Sequence, residues 1–313
     1  MSATHVIAAA AIRAAGRISP RWGAALALPL FGSVAAPHPI DPADMNTMWR
    51  AERSTVRIPG VDGRGRDLNV YDWGPADGDV VVLAHGWNGR ASQFSPLIRE
   101  LVSEGYRVAA FDAPAHGDSA GRGTYLLDWV AALGGLQQRR GRFTAVIGHS
   151  FGGLATLVAA AQGIAVDGVV TVAAPADADL LLTQFQGQVG IDDRTAVELR
   201  RRFARRYFPG ADDPFASLSP VRHPLPQNTH LLVVHDESDR VVPFAEAARI
   251  ARANEHAHTL VTRGLGHSRI LRADPFLDAV LGFLATPMPT TEASLVDEAP
   301  ARRGRVGALA LAG

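Results

Sequence analysis

The sequence predicts an α/β protein: a mostly parallel central sheet flanked by helices, opened by an antiparallel hairpin and carrying a short helical insertion. Three observations predict it. Short, unbroken apolar runs recur along the chain. Such runs fit strands buried on both faces of a parallel sheet. Helix-like segments separate the runs, and that alternation defines an α/β fold. Ahead of both, two segments alternate apolar and polar residues, the pattern of half-buried paired strands.

That opening pair covers residues 54–58 and 67–72, with Gly60, Gly63 and Gly65 between them as turn residues. Apolar runs follow at residues 80–84, 107–111, 144–147, 168–173, 231–234 and 259–262. Between them, residues 94–103 place Phe94, Leu97, Ile98, Leu101 and Val102 on one helical face. Residues 126–133, 152–161, 244–253 and 275–284 also read as helices. The alternation breaks between the runs at 168 and 231. Residues 178–185 and 195–208 are helix-like there, and no strand intervenes. A long insertion inside a compact domain is usually functional, for example a lid. In its second helix Arg200, Arg201, Arg202, Arg205 and Arg206 alternate with Leu199, Phe203 and Tyr207, giving one basic and one apolar face. The default reading is a solvated basic face, and attraction of acidic lipid or substrate is the alternative.

Composition narrows the function classes. Of 313 residues, 47% are hydrophobic and 20% charged, an ordinary globular balance. Basic and acidic residues number 31 each, so no basic excess points to nucleic acid. The absence of cysteine excludes disulfides, thiolate zinc sites and a cysteine nucleophile.

The chemistry begins at Gly148-His149-Ser150-Phe151-Gly152. The motif follows an apolar run and precedes a helical segment, the strand–turn–helix setting in which G-x-S-x-G marks a nucleophile. The serine must project from a sharp turn, and side chains two residues to either side would collide, so Gly148 and Gly152 stand there. The helix start also turns a positive dipole end toward developing negative charge. A second glycine-rich turn, His85-Gly86-Trp87-Asn88-Gly89, ends the run at 80–84. In sites of this kind one oxyanion donor is the backbone N–H after the serine and the other comes from such a loop. The donors expected here are the amides of Phe151 and Trp87, with His85 orienting the loop. His149 is expected to pack beside the serine, and His116 to hold its own loop by hydrogen bonds.

A serine hydroxyl needs a histidine base, and the base needs a carboxylate to fix its tautomer. Along the chain the order is serine, acid, histidine. The loop after the run at 231–234 offers Asp236, Glu237 and Asp239, and Asp177 lies beyond the run at 168–173. Of the histidines that follow, His256 and His258 precede the last strand and so stand at the wrong end of the sheet. Catalytic groups collect at the carboxyl ends of parallel strands. His267 follows the last strand through Gly264-Leu265-Gly266 and is the expected base.

Over roughly residues 54–285 the chain resembles α/β-hydrolase-fold proteins. The resemblance rests on His85-Gly86-Trp87, on Asp112-Ala113-Pro114-Ala115-His116-Gly117-Asp118-Ser119 and on Gly148-His149-Ser150-Phe151-Gly152-Gly153. It extends through the segment from His235 to Pro243 and Gly264-Leu265-Gly266-His267. It implies Asp239 as the acid and a serine esterase or lipase-like activity with no cofactor and no metal. Ala115 departs from the glycine common at that place in the family. Serine at 150 argues against the members that use aspartate there, the haloalkane dehalogenases and epoxide hydrolases. The insertion at about 175–227 resembles the family's helical cap. Its residues Leu180, Leu181, Leu182, Phe185, Phe203, Tyr207, Phe208 and Phe215 favour a small-molecule ester with an apolar acyl or alcohol group. Other chemistry on the same triad (C–C or amide hydrolysis, acyl transfer) and a non-catalytic sensor are the alternatives.

The expected organisation is an N-terminal extension over residues 1–50, a hydrolase domain over 51–286 and a disordered tail over 287–313. The extension reads as amphipathic and packed on the domain, with a signal segment as the alternative. Neither of its apolar stretches reaches the ~20 residues of a membrane span. The expected location is cytoplasmic, with export or contact with a membrane surface through residues 1–50 as alternatives.

Overall fold

The structure, a computed structural model, describes residues 3–60, 63–210 and 213–286. The tail expected to be disordered therefore lies outside the described residues. Among the described residues, eight strands build one sheet: β1 (Glu52–Ile58), β2 (Arg66–Trp73), β3 (Val80–Ala84), β4 (Arg107–Phe111), β5 (Phe143–His149), β6 (Val166–Val172), β7 (His230–Asp236) and β8 (His258–Thr262). Their order is β1-β2-β4-β3-β5-β6-β7-β8. The opening pair is antiparallel, and β2 also runs antiparallel to β4. Every later pairing is parallel.

The helices are α1 (Ala3–Ile18), α2 (Pro20–Phe31), α3 (Met45–Trp49), α4 (Ser95–Ser103), α5 (Leu126–Arg140), α6 (Phe151–Ala161), α7 (Asp179–Val189), α8 (Asp193–Tyr207), α9 (Ala245–Ala253), α10 (Gly266–Arg269) and α11 (Asp274–Ala285). The continuous apolar runs are explained by cover on both sheet faces. In β3, Val82 and Ala84 enter one core while Val81 and Leu83 enter the other. The first core includes Trp129 and Leu133 of α5 and Leu154 and Val158 of α6. The second includes Leu97 and Leu101 of α4 and Phe276 and Val280 of α11.

Helix α5 runs seven residues beyond the expected end at 133. Gly134-Gly135 is a poor helix-forming pair and reads as a stop. Packing overrides it. A Cβ on Gly135 would lie 2.8 Å from Val56 Cγ1, so its absence lets α5 lie close against β1. The Asp128 carboxylate accepts from Thr124 Oγ1 and from Tyr125 N, which fixes the helix start.

The insertion between β6 and β7 holds α7 and α8. Asp192 caps α8 by accepting from Thr195 N at 2.8 Å. Leu199 and Phe203 are buried while Arg201, Arg202, Arg205 and Arg206 are exposed. The N-terminal helices pack here too. Ala9, Ile12, Ala24, Ala27 and Leu28 join the same core as Leu199 and Phe203. Among the described residues no helix is long and apolar enough to cross a membrane.

Candidate active site

Strand β5 ends at His149, and Ser150 turns directly into α6. Ser150 has φ 52° and ψ −121°, a strained conformation for a residue with a Cβ. The turn is held by Ser150 N donating to Val172 O of β6 at 2.8 Å. The flanking glycines are required by close approach. A Cβ on Gly152 would stand 2.2 Å from Ala84 O, and one on Gly148 would stand 2.5 Å from Gly152 O. Local strain of this kind persists only where surrounding structure over-determines it.

Beyond β7, the Asp239 carboxylate is fully buried as a side chain. Its Oδ1 accepts from Val241 N at 2.7 Å and Val242 N at 3.0 Å. Its Oδ2 lies 2.7 Å from His267 Nδ1 and 3.5 Å from His235 Nε2. Burial opposes ionisation of Asp239. The hydrogen bonds from His235, His267 and the two amides outweigh it and hold the carboxyl well below the usual carboxylate range.

The rival carboxylates are engaged elsewhere. Asp177 caps the start of α7 through Asp179 N and pairs with Arg249. Glu237 pairs with Arg263 at the surface. Asp236 accepts from Ser238 N, Thr262 Oγ1 and Leu265 N. It therefore pins the loop that carries His267. His256 donates from Nε2 to Thr229 O, ahead of β7, and His258 opens β8. Both lie at the amino ends of the strands.

Three further histidines are locked as neutral rings. His85 Nε2 accepts from Ala113 N at 3.0 Å, which leaves Nδ1–H to donate to Gly86 O at 2.7 Å. Burial pushes its pKa down to about 4. His116 Nε2 accepts from Asn88 N, and its Nδ1–H donates to Pro114 O. Burial, reinforced by nearby His85, pushes it down to about 3. His149 accepts from Gln93 Nε2 at its Nδ1 and donates from Nε2 to His267 O at 2.9 Å. Burial and the neighbouring His267 push it down to about 3. The bond from His149 to the His267 backbone joins the serine turn to the histidine loop. The expectation of simple packing missed that link. Gln93, which fixes the tautomer, carries no signal in the sequence.

The loop after β3 brings Gly86 against the serine: a Cβ there would lie 3.0 Å from Ser150 Cβ. The Trp87 indole stacks on Trp129 and meets Phe151 edge-on at 5.1 Å. Phe151 is the first residue of α6, so its amide has no partner within that helix. The neighbouring Asp112 loop is braced by Ala91 N and Asp118 N donating to its carboxylate. Ala115, where the family favours glycine, keeps the left-handed backbone at φ 67°. The loop geometry is thus retained at a cost of about 1–2 kcal/mol for an L-residue.

Ser150, His267, Trp87 and Phe151 line one cavity of about 330 Å³. Of the apolar insertion residues expected to shape it, Leu181, Phe185, Phe203 and Phe215 reach it. Leu180, Leu182, Tyr207 and Phe208 are not part of its lining. Tyr207 instead donates to or accepts from Tyr125 across a 2.8 Å hydroxyl pair. Phe31, from the end of α2, completes the wall with ring contacts to Phe185 at 5.2 Å and Phe203 at 5.8 Å. No sequence pattern marks which way α2 docks, so Phe31 was not legible. Among the described residues no group of histidine and carboxylate side chains has a metal-binding arrangement.

Residues 81–279 match the alpha/beta hydrolase family, and the chain belongs to that family. It is 29% identical over 258 residues to a pimeloyl-[acyl-carrier protein] methyl ester esterase of Xanthomonas oryzae pv. oryzae, covering 70% of this chain and 98% of that one. It is 41% identical over 95 residues to a non-heme chloroperoxidase of Streptomyces lividans, spanning 28% of this chain and only 33% of that protein's length. A solved esterase of Pyrococcus furiosus has the same fold, with a TM-score of 0.57 and 21% identity over 82% of this chain and 98% of the other.

Proposed function

We propose that this hydrolase cleaves small carboxylic esters with an apolar acyl or alcohol group through an acyl-enzyme on Ser150. The observation that carries the reading is the 2.7 Å bond to buried, ionised Asp239 from His267, which lines the same cavity as Ser150. Asp239 keeps the proton of His267 on Nδ1, which leaves Nε2 free to take the proton of the serine hydroxyl. Ser150 then attacks the ester carbonyl. The amides of Trp87 and Phe151 receive the oxyanion, and His267 returns its proton to the departing alcohol. Water activated by His267 attacks the acyl-enzyme and releases the acid. These steps require no metal and no cofactor.

The aromatic and leucine lining of the cavity supports an apolar substrate group, and the esterase relative is named for an ester substrate. A series of p-nitrophenyl esters of increasing acyl length tests the reading. The expected result is a burst of one p-nitrophenol per active site, followed by turnover whose kcat/KM rises with chain length until the cavity is full. Folded protein that releases no p-nitrophenol from any member would overturn it.

A further inference from the structure

Helices α1 and α2 are apolar on the side that faces away from the protein as well as on the side that is buried. Their inner faces are closely seated. A Cβ on Gly23 would lie 2.8 Å from both Gly16 Cα and Thr195 Cγ2, so the two helices and α8 meet through glycine. Arg13 ties α1 to α7 by donating to Val189 O at 2.8 Å. Opposite that face, α1 exposes Ile7, Ala11, Ala14 and Ile18 at helical spacing, and α2 exposes Trp22, Leu26 and Pro29 in the same way. Ile7 is 70% exposed, Ile18 74%, Trp22 61% and Leu26 51%. A helix apolar on all sides belongs in a core or against lipid, and nothing among the described residues covers these stripes.

The surrounding charge indicates what does. The whole chain has a formal net charge of zero. These three helices nevertheless carry many more basic than acidic residues. There are two arginines in α1, one in α2 and six in α8, against Asp193 and Glu198 as the carboxylates of the three helices. Glu198 is already paired with Arg201 and Arg205. Arg17, Arg21, Arg202 and Arg206 are all exposed. Outward apolar stripes, a tryptophan and flanking arginines together are the surface of an interfacial helix that lies in a membrane plane. A dimer contact between two copies would instead bring like charges together.

We propose that the α1–α2 hairpin, with the arginine face of α8, docks this protein peripherally on an anionic phospholipid surface. Neither helix is long enough to span it. The same α2 that presents Trp22 and Leu26 outward ends at Phe31 in the cavity wall, so docking sets the cavity beside the lipid headgroups. The proposal rests on surface chemistry alone and stands independently of the ester reading.

Sedimentation of the full chain with sucrose-loaded vesicles tests it without any assay of activity. Vesicles of phosphatidylcholine mixed with phosphatidylglycerol are compared with phosphatidylcholine alone. The protein is expected to sediment with the anionic vesicles and to be released by raised salt. Trp22→Glu is expected to weaken partitioning roughly tenfold or more. Arg202→Gln with Arg206→Gln is expected to weaken it roughly fivefold for each arginine. These side chains are exposed, so circular dichroism should stay native. Protein that remains in the supernatant with both vesicle types overturns the proposal, as does binding unchanged by either variant. So does a dimer, seen by sedimentation velocity without lipid, that Trp22→Glu converts to monomer.

Discussion

Asp239→Asn is expected to leave the fold intact and to lower kcat for ester hydrolysis about ten-thousandfold. The amide oxygen of asparagine can still accept from Val241 N and Val242 N, as Oδ1 does now. Its NH2 group then faces His267 Nδ1, where a carboxylate oxygen accepts at present. A donor in that place forces Nδ1 to accept, which moves the ring proton to Nε2. A ring protonated there cannot take a proton from Ser150. Two controls separate this from general damage. Glu237→Gln removes a surface ion pair with Arg263 and is expected to change kcat less than about twofold. Asp236→Asn disturbs three hydrogen bonds, one of them to Leu265 N in the His267 loop, and is expected to lower stability together with rate. Steady-state kinetics beside urea unfolding of each variant makes the comparison.

The second large effect concerns acid stability. His85, His116 and His149 hold folded-state pKa values of about 4, 3 and 3, against about 6.5 in an unfolded chain. Between these limits the three rings bind up to three more protons in the unfolded chain than in the native protein. Stability therefore falls as pH falls. The contribution is fully present above about pH 6.5 and is lost progressively toward pH 4 and below. From pH 7.5 to pH 5.5 the expected loss is roughly 3–4 kcal/mol. Asp239, whose carboxyl is held low, adds a loss in the same direction only below the ordinary carboxylate range. Urea midpoints across this interval measure the effect. A flat profile from pH 7.5 to 5.5 would show that the three rings take up protons freely while folded. Single His→Gln variants should each flatten the slope by about a third.

The sheet was legible because its physics is local. Unbroken runs such as Val80–Ala84 specify burial on both faces, and the structure covers both faces of β3 with separate cores. The strained turn at Ser150 was legible for a related reason. Its two glycines are demanded by atoms less than 3 Å away, so the constraint is written at fixed spacing. Three features escaped. Helix α5 continues through Gly134-Gly135 because close packing on Val56 outweighs propensity. The cavity wall takes Phe31 from the far end of the chain, and docking of a helix at that distance leaves no periodic trace. The link from His149 to His267 O joins residues 118 apart in sequence, and only the folded sheet brings them together. Choice of Asp239 over Asp236, two loop carboxylates three residues apart, likewise depends on how the loop curls. One binds His267, and the other binds the loop that carries it.

Whether Ser150 is an activated nucleophile is tested by fluorophosphonate labelling of the purified protein, without knowledge of the substrate. Mass spectrometry locates the adduct. A single label on Ser150 is expected, lost in Ser150→Ala and lowered by orders of magnitude in His267→Ala. Folded protein that takes no label, or takes it at another serine, would contradict an activated Ser150.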